Sequence, residues 1–308
     1  AGQMEIMQKG VVSLTAKNTI AADGVSSSYS EGVTVENPQG TPAGYMNVRV
    51  QAYQTGSETD VALLDNVYLY SHGVLHLMNS DITGETPAII AARNVIDLSS
   101  ALNLYVNVNT TAQDVIISSD KSVMQNADII ATNSASISAR ENVNLNSENI
   151  NSKTINIVAG ENVAMFAGSI FAAGTGDSVG TVNITAGDDV KLLEGTIDAD
   201  VANITAGGKV VQTGSDYDAS KVDASGKLEY TGNKLVVNTL EAVAVNGLDL
   251  HGWANKLSNV SLYNSNGDIT LGNGGSDTLT IVAVGGSKDD STAKVQTIVD
   301  SASNTSAV

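Results

Sequence analysis

The 308-residue sequence predicts an all-β solenoid, a parallel β-helix of about 12 coils with a repeat of about 20 residues. Three observations predict it. The pentapeptide "NITAG" stands at 183–187 and again at 203–207. Apolar residues alternate with polar ones in very short runs, and Gly, Asn, Asp or Ser falls between the runs, where the chain must turn. Aromatics make up only 4% of residues, with one Trp and two Phe. Large rings fit poorly in a narrow interior, whereas an ordinary globular core uses more of them.

Stepping back from Ile204 and Ile184 in intervals of about 20 gives Ile157, Ile137 and Ile117, and stepping forward gives Ala224 in "KVDASG". The same hydrophobic-x-hydrophobic pair recurs downstream at Val243/Val245, Val260/Leu262 and Leu279/Ile281. Upstream it recurs at Ile96/Leu98, Val67/Leu69, Val48/Val50 and Val12/Leu14. A second pair follows the first in each unit: Val143/Leu145, Val163/Met165, Val190/Leu192, Leu228/Tyr230, Leu248/Leu250 and Ile269/Leu271. A third apolar position comes later, at Ile129, Ile150, Ile170 and Ile197. A leucine-rich repeat would need a fixed Leu ladder and Asn, which these units lack. Each unit therefore reads as one coil of two or three short strands. Equivalent strands stack about 4.8 Å apart, so the coils make a rod of roughly 55–60 Å. "ENV" at 141–143 and at 161–163 places Asn142 and Asn162 in equivalent turns. Their amides either bond along the stack or simply serve the turn.

The repeat is expected to form one domain over residues 1–290, with insertions near 22–45, 83–93 and 172–180. Insertions leave a solenoid as loops, often on one face. In 291–308, Val295, Ile298, Val299 and Ala302 fall at helical spacing, and Asp290 or Ser291 is placed to cap the start. This predicts a short helix over the last coil, then a disordered tail from Ser301.

Charge narrows the partners. The formal charge is −18, from 33 acidic and 15 basic residues. Such a field repels phosphate backbones and anionic lipid, so no nucleic acid partner is expected. The arginines, Arg49, Arg93 and Arg140, are too few for a built phosphate or polyuronate clamp. The absence of cysteine excludes disulfides and thiolate metal sites. No apolar run of helix-spanning length exists, so no membrane insertion by a helix is expected. The chain opens at Ala1 with no charged-then-apolar leader, which reads as a mature form or an excised piece.

No residue reads as catalytic, cofactor-binding or metal-ligating, and the chain is not expected to be an enzyme. Asp188, Asp189 and Glu194 form the densest acidic group in the repeat. Glycoside hydrolysis needs two placed carboxylates, but an acidic turn on so acidic a chain reads as solvated surface. The Arg- and Lys-rich signatures of pectate lyases and the Asp-rich and RIK-like motifs of polygalacturonases are absent. His72 and His76 sit four apart, about 13 Å along a strand, too far to share one metal; His251 is alone. "GNGGSDTL" at 272–279 resembles one calcium-binding RTX nonapeptide through Gly272, Gly275, Asp277 and Leu279. That motif works as an array, and a turn between strands accounts for a single imperfect copy.

The units "NITAGDDVKL", "NITAGGKVVQ" and "NIVAGENVAM" resemble the repeats of filamentous haemagglutinin-like proteins, the exoproteins of two-partner secretion. Autotransporter passengers are built similarly. The resemblance covers most of 94–281. "NPQG" at 37–40 is similar to the "NPNG" motif of the family's secretion domain, with Gln39 departing from it. The resemblance implies a right-handed parallel β-helix, secreted or held at the bacterial surface. Family members are often adhesins, and the expectation for this chain is a structural rod or adhesin segment whose partner is a cell-surface or matrix ligand. A self-assembling filament or surface-layer subunit, whose partners are copies of itself, is the rival expectation. A β-helical carbohydrate-active enzyme stands third.

Overall fold

The computed structural model describes residues 2–8, 13–16, 33–36, 45–52, 64–71, 74–79, 89–107, 109–146, 148–174, 178–213, 232–252, 254–274, 278–286, 297–300 and 305–307. Every regular element among them is a strand, and most strands are paired in parallel. The chain divides into two compact units, one of residues 1–143 and 147–152, the other of residues 144–146 and 153–308.

In the first unit one sheet runs Gly2–Gln8, Tyr45–Ala52, Val74–Asn79, Leu104–Val106, Val123–Gln125. Its first pairing is antiparallel and the rest are parallel. The other sheet runs Ser13–Ala16, Val33–Glu36, Leu64–Ser71, Ile89–Ser100, Asn109–Ser119, Ile129–Ala139, Ile150–Ser152. Again only its first pair is antiparallel. Equivalent residues stack: Ile96, Val115 and Ala135 form one column, and Leu98, Ile117 and Ile137 another. All six are buried.

The second unit repeats the plan. One sheet joins Thr154–Ala159, Thr181–Ala186, Gly195–Ala206, Asn233–Ala244, Lys256–Asn264 and Thr280–Gly285, all parallel. Ser169–Ala172 pairs with the first half of Gly195–Ala206. The other sheet joins Val163–Met165, Val190–Leu192, Val210–Gln212, Leu248–Leu250, Ile269–Gly272 and Thr297–Asp300 in parallel. Thr305–Ala307 then returns antiparallel. The two "NITAG" segments stand side by side, Ile184 against Ile204 and Asn183 against Asn203. Their isoleucines are buried, each worth roughly 1.5–3 kcal/mol.

The repeat explains its own glycines. A Cβ on Gly187 would lie 1.9 Å from the Gly160 carbonyl oxygen, and one on Gly207 would lie 2.0 Å from that of Gly187. Close backbone approach, rather than an unusual φ, demands Gly there. Beside this column Asn156, Asn183 and Asn203 pass hydrogen bonds along the stack, each Nδ2 donating to the preceding Oδ1 at 2.8 Å.

The register departs from the sequence reading in three places. Ile204 pairs with Ala242, not with a residue 20 positions on, so the chain between Gln212 and Asn233 is an insertion. Ala224, Leu228 and Tyr230 fall outside the described residues. The core pair in the following strand is Ala242/Ala244, while Val243 and Val245 are only half-buried. A slip of one residue exchanges the two faces of a strand. Near the N-terminus Val48 lies opposite Leu77 in the other sheet, and Leu14 pairs antiparallel with Val35. Val12 lies outside the described residues. At the other end Ile281 lies opposite Val260 but is 41% exposed, and a register shift follows this pair.

Most of 22–45 lies outside the described residues, but Val33–Glu36 is a strand. Residues 89–93 belong to the strand Ile89–Ser100. The chain leaves the sheet between Ala172 and Thr181. Where a helix was expected, Thr297–Asp300 and Thr305–Ala307 are strands. Their β-branched residues suit a pleated surface, and the antiparallel return covers an edge that would otherwise stay open.

The second unit also buries amides. Gln212 stands in the core column of Met165 and Leu192 and is fully buried, as are Asn233 and Asn255. Gln212 and Asn255 pair amide to amide, with Nε2 donating to Oδ1 at 2.8 Å and Nδ2 donating to Oε1 at 2.9 Å. Asn255 Oδ1 also accepts from the Leu235 amide at 2.9 Å, and Nδ2 also reaches the carbonyls of Leu250 and Gly272. Asn273 repeats the device one strand on, accepting from Leu257 N–H and donating to its carbonyl. Each side chain replaces a backbone partner at a sheet corner, so the buried polar groups are satisfied.

Candidate binding groove

Within the second unit the strand Gly195–Ala206 serves two pairings. Its first half lies between Ser169–Ala172 and Asn233–Val237, and its second half takes Thr181–Ala186 on one side. The change of partner falls at Asp200. The excursion between Ala172 and Thr181 closes there in a tight neck. A Cβ on Gly174 would lie 1.8 Å from the Ser178 carbonyl oxygen, and one on Gly180 would lie 2.0 Å from that of Ala172. Asp200 ties the neck down: its Oδ2 accepts from the Gly180 amide at 2.8 Å, and its Oδ1 accepts from Asn238 Nδ2 at 3.2 Å.

Beside this neck lies an open groove of about 420 Å³, within the range of small-molecule sites. Parallel stacking lays out its floor. Phe171, Asp198, Val236 and Lys256 occupy successive strands at one register position, a row of roughly 14 Å. Asp200, Asn238 and Ser258 make a second row two residues along. Phe171 is 41% exposed. Among the described residues neither Asp198 nor Lys256 has a hydrogen-bond or ion-pair partner. The groove thus offers an apolar ring face at one end, a free carboxylate beside it, an amide and a hydroxyl along one side, and an ammonium at the far end.

The residues singled out from sequence lie elsewhere and serve the backbone. Asp189 Oδ1 accepts from the Lys209 amide at 2.8 Å, and its Oδ2 lies 3.6 Å from Lys191 Nζ. Asn162 Oδ1 accepts from the Asp189 amide at 3.3 Å, so these turn side chains hold the next turn. Asp188 and Glu194 are exposed. His251 Nδ1 lies 2.7 Å from Asp249 Oδ1. His76 sits in the strand Val74–Asn79, and His72 lies outside the described residues. Among the described residues no three of His, Cys, Asp and Glu gather to hold a metal ion. Of "GNGGSDTL", Gly275 and Asp277 lie outside the described residues; Gly272 ends the strand Ile269–Gly272.

Sequence reasoning missed the groove. The chain has only two Phe, and in the fold both stand on the surface, Phe166 at 44% and Phe171 at 41% exposure, which the sequence alone does not mark. No protein-family model, curated protein or solved structure matches the chain.

Proposed function

We propose that the chain is a right-handed parallel β-helix of about 12 coils, acting as a non-catalytic rod or adhesin segment outside a bacterial cell, of the filamentous haemagglutinin-like kind. The observation that carries this reading is the residue-for-residue stacking of repeats about 20 apart, Ile184 on Ile204 and Asn183 on Asn203. A chain built this way gains length cheaply and presents its insertions to one side. The non-catalytic part draws on the groove. Each carboxylate oxygen of Asp200 accepts a hydrogen bond, from the Gly180 amide and from Asn238, which gives this side chain a structural task, whereas hydrolysis of a glycosidic bond calls for two carboxylates placed for catalysis.

One observation favours self-assembly as a second reading. Positions 154, 156, 158, 181, 183, 185, 201, 203 and 205 alternate with the buried positions and carry only Thr, Asn and Val. On a chain of charge −18, such a face has the least like-charge repulsion between copies. Negative-stain electron microscopy across a concentration range separates the readings. Isolated short rods support the adhesin segment, regular fibres or sheets transfer the function to assembly, and compact globules overturn the β-helix itself.

A further inference from the structure

We propose that the groove beside Phe171 binds a neutral sugar unit of a glycan. The proposal deepens the adhesin reading and rests on it only for the setting in which the glycan is met.

An anionic ligand is disfavoured. One ammonium, Lys256, faces two carboxylates, Asp198 and Asp200, and the whole chain carries −18; phosphate and uronate sites want several cations in fork geometry. A metal is disfavoured too, because Asp200 is committed to Gly180 and Asn238. That leaves Asp198 as the one uncommitted carboxylate, and hard cations take several oxygen ligands. A wholly apolar ligand would take Asp198, Ser258 and Lys256 out of water without offering them partners, at a cost for each.

A pyranose fits what remains. One face of the ring presents C–H groups, which pack on an exposed aromatic ring. Its hydroxyls both donate and accept. Asp198, on the strand next to Phe171, accepts from hydroxyls. Lys256 and the Asn238 amide donate, and Ser258 does either. A charge-assisted bond to Asp198 is the strongest single polar contact available. The row from Phe171 to Lys256 is long enough for a short oligosaccharide, with the aromatic contact at one end. The groove is partly open to solvent, so a sugar unit can enter from the surface.

Saturation-transfer difference NMR tests this, with lactose and chitotriose as neutral probes and a galacturonic acid trimer as the anionic one. The expected result is transfer to ring C–H protons of at least one neutral probe at millimolar affinity, and none to the acid. Phe171→Ala lowers that affinity at least tenfold, Asp198→Asn lowers it severalfold, and Phe166→Ala leaves it unchanged. Both aromatic variants alter exposed rings, and matched urea midpoints show that each is folded. No transfer to either neutral probe overturns the proposal, as does binding that survives both Phe171→Ala and Asp198→Asn. Preference for the acid overturns it as well. Failure here leaves isolated rods in the microscope untouched, so the loss of this ligand and the loss of the adhesin reading are told apart.

Discussion

Replacing Asn255 by alanine tests how the buried amides hold the second unit. The wild-type side chain is fully buried and makes five hydrogen bonds, two to Gln212 and one each to Leu235, Leu250 and Gly272. After truncation Gln212 keeps the Asn233 carbonyl as acceptor and the Gly252 amide as donor. The two amide–amide bonds are therefore lost at about 1 kcal/mol each. The Leu235 N–H loses Asn255 Oδ1, and a stranded buried donor costs about 1–3 kcal/mol. The expected loss is about 3–5 kcal/mol, near the upper end for a single substitution. Stacked repeats unfold in stages, so the assay is urea denaturation combined with amide hydrogen exchange at Leu235 and Leu257. The coupling is tested with Gln212→Met, which restores the side-chain type of Met165 in the same column. Gln212→Met with Asn255→Leu should cost less than the sum of the singles by about 1–3 kcal/mol. An Asn255→Ala loss below about 1 kcal/mol, or singles that add within about 0.5 kcal/mol, would refute the idea that these amides act as a unit.

Gly207→Ala places a Cβ against the Gly187 carbonyl; a loss of about 1–3 kcal/mol is expected in urea titration, and an unchanged midpoint would contradict the close approach. Ala242→Leu overpacks the core column by a similar margin, whereas Val243→Ser should stay within about 0.5 kcal/mol; the reverse ranking would restore the other register. Desolvation holds the Asp97 carboxyl above the usual carboxylate range. The folded form thus takes the proton more readily than the unfolded one, and this group's stabilising contribution is present below the unfolded pKa. It is lost as pH rises through the folded pKa. Asp97→Asn should therefore raise the neutral-pH melting temperature relative to wild type and flatten the pH dependence just above the ordinary carboxylate range; a neutral-pH loss would count against it.

The strand repeat was legible because equivalent positions meet equivalent surroundings. Ile117, Ile137, Ile157, Ile184 and Ile204 are all buried, and their spacing is plain in the text. Where reading failed, the physics was ambiguous. In "LEAVAVNG" both phases of the alternation are apolar, and the larger valines drew attention away from Ala242 and Ala244, which the narrow core selects. "KVDASG" imitates a repeat, so the insertion after Gln212 passed unnoticed. Nothing in the sequence marks Gln212 or Asn255, because it does not reveal that one amide will find the other 43 positions away. Phe171 and Asp198 are brought together by stacking across the 172–180 excursion, and nothing local to either residue announces it.

The stacking frame is indifferent to how much chain lies between its members. Asn156 reaches Asn183 across 27 positions, Asn183 reaches Asn203 across 20, and Ile204 finds Ala242 across the whole of 214–231. Register here is set by the columns, and the corners act like the margins of a page, where text is added without moving a line. New sequence at such a corner changes what the surface displays while Ile184 still meets Ile204. A peptide epitope spliced between Gly174 and Ser178, or after Thr213, is thereby placed at a known level on a scaffold whose interior does not register its arrival.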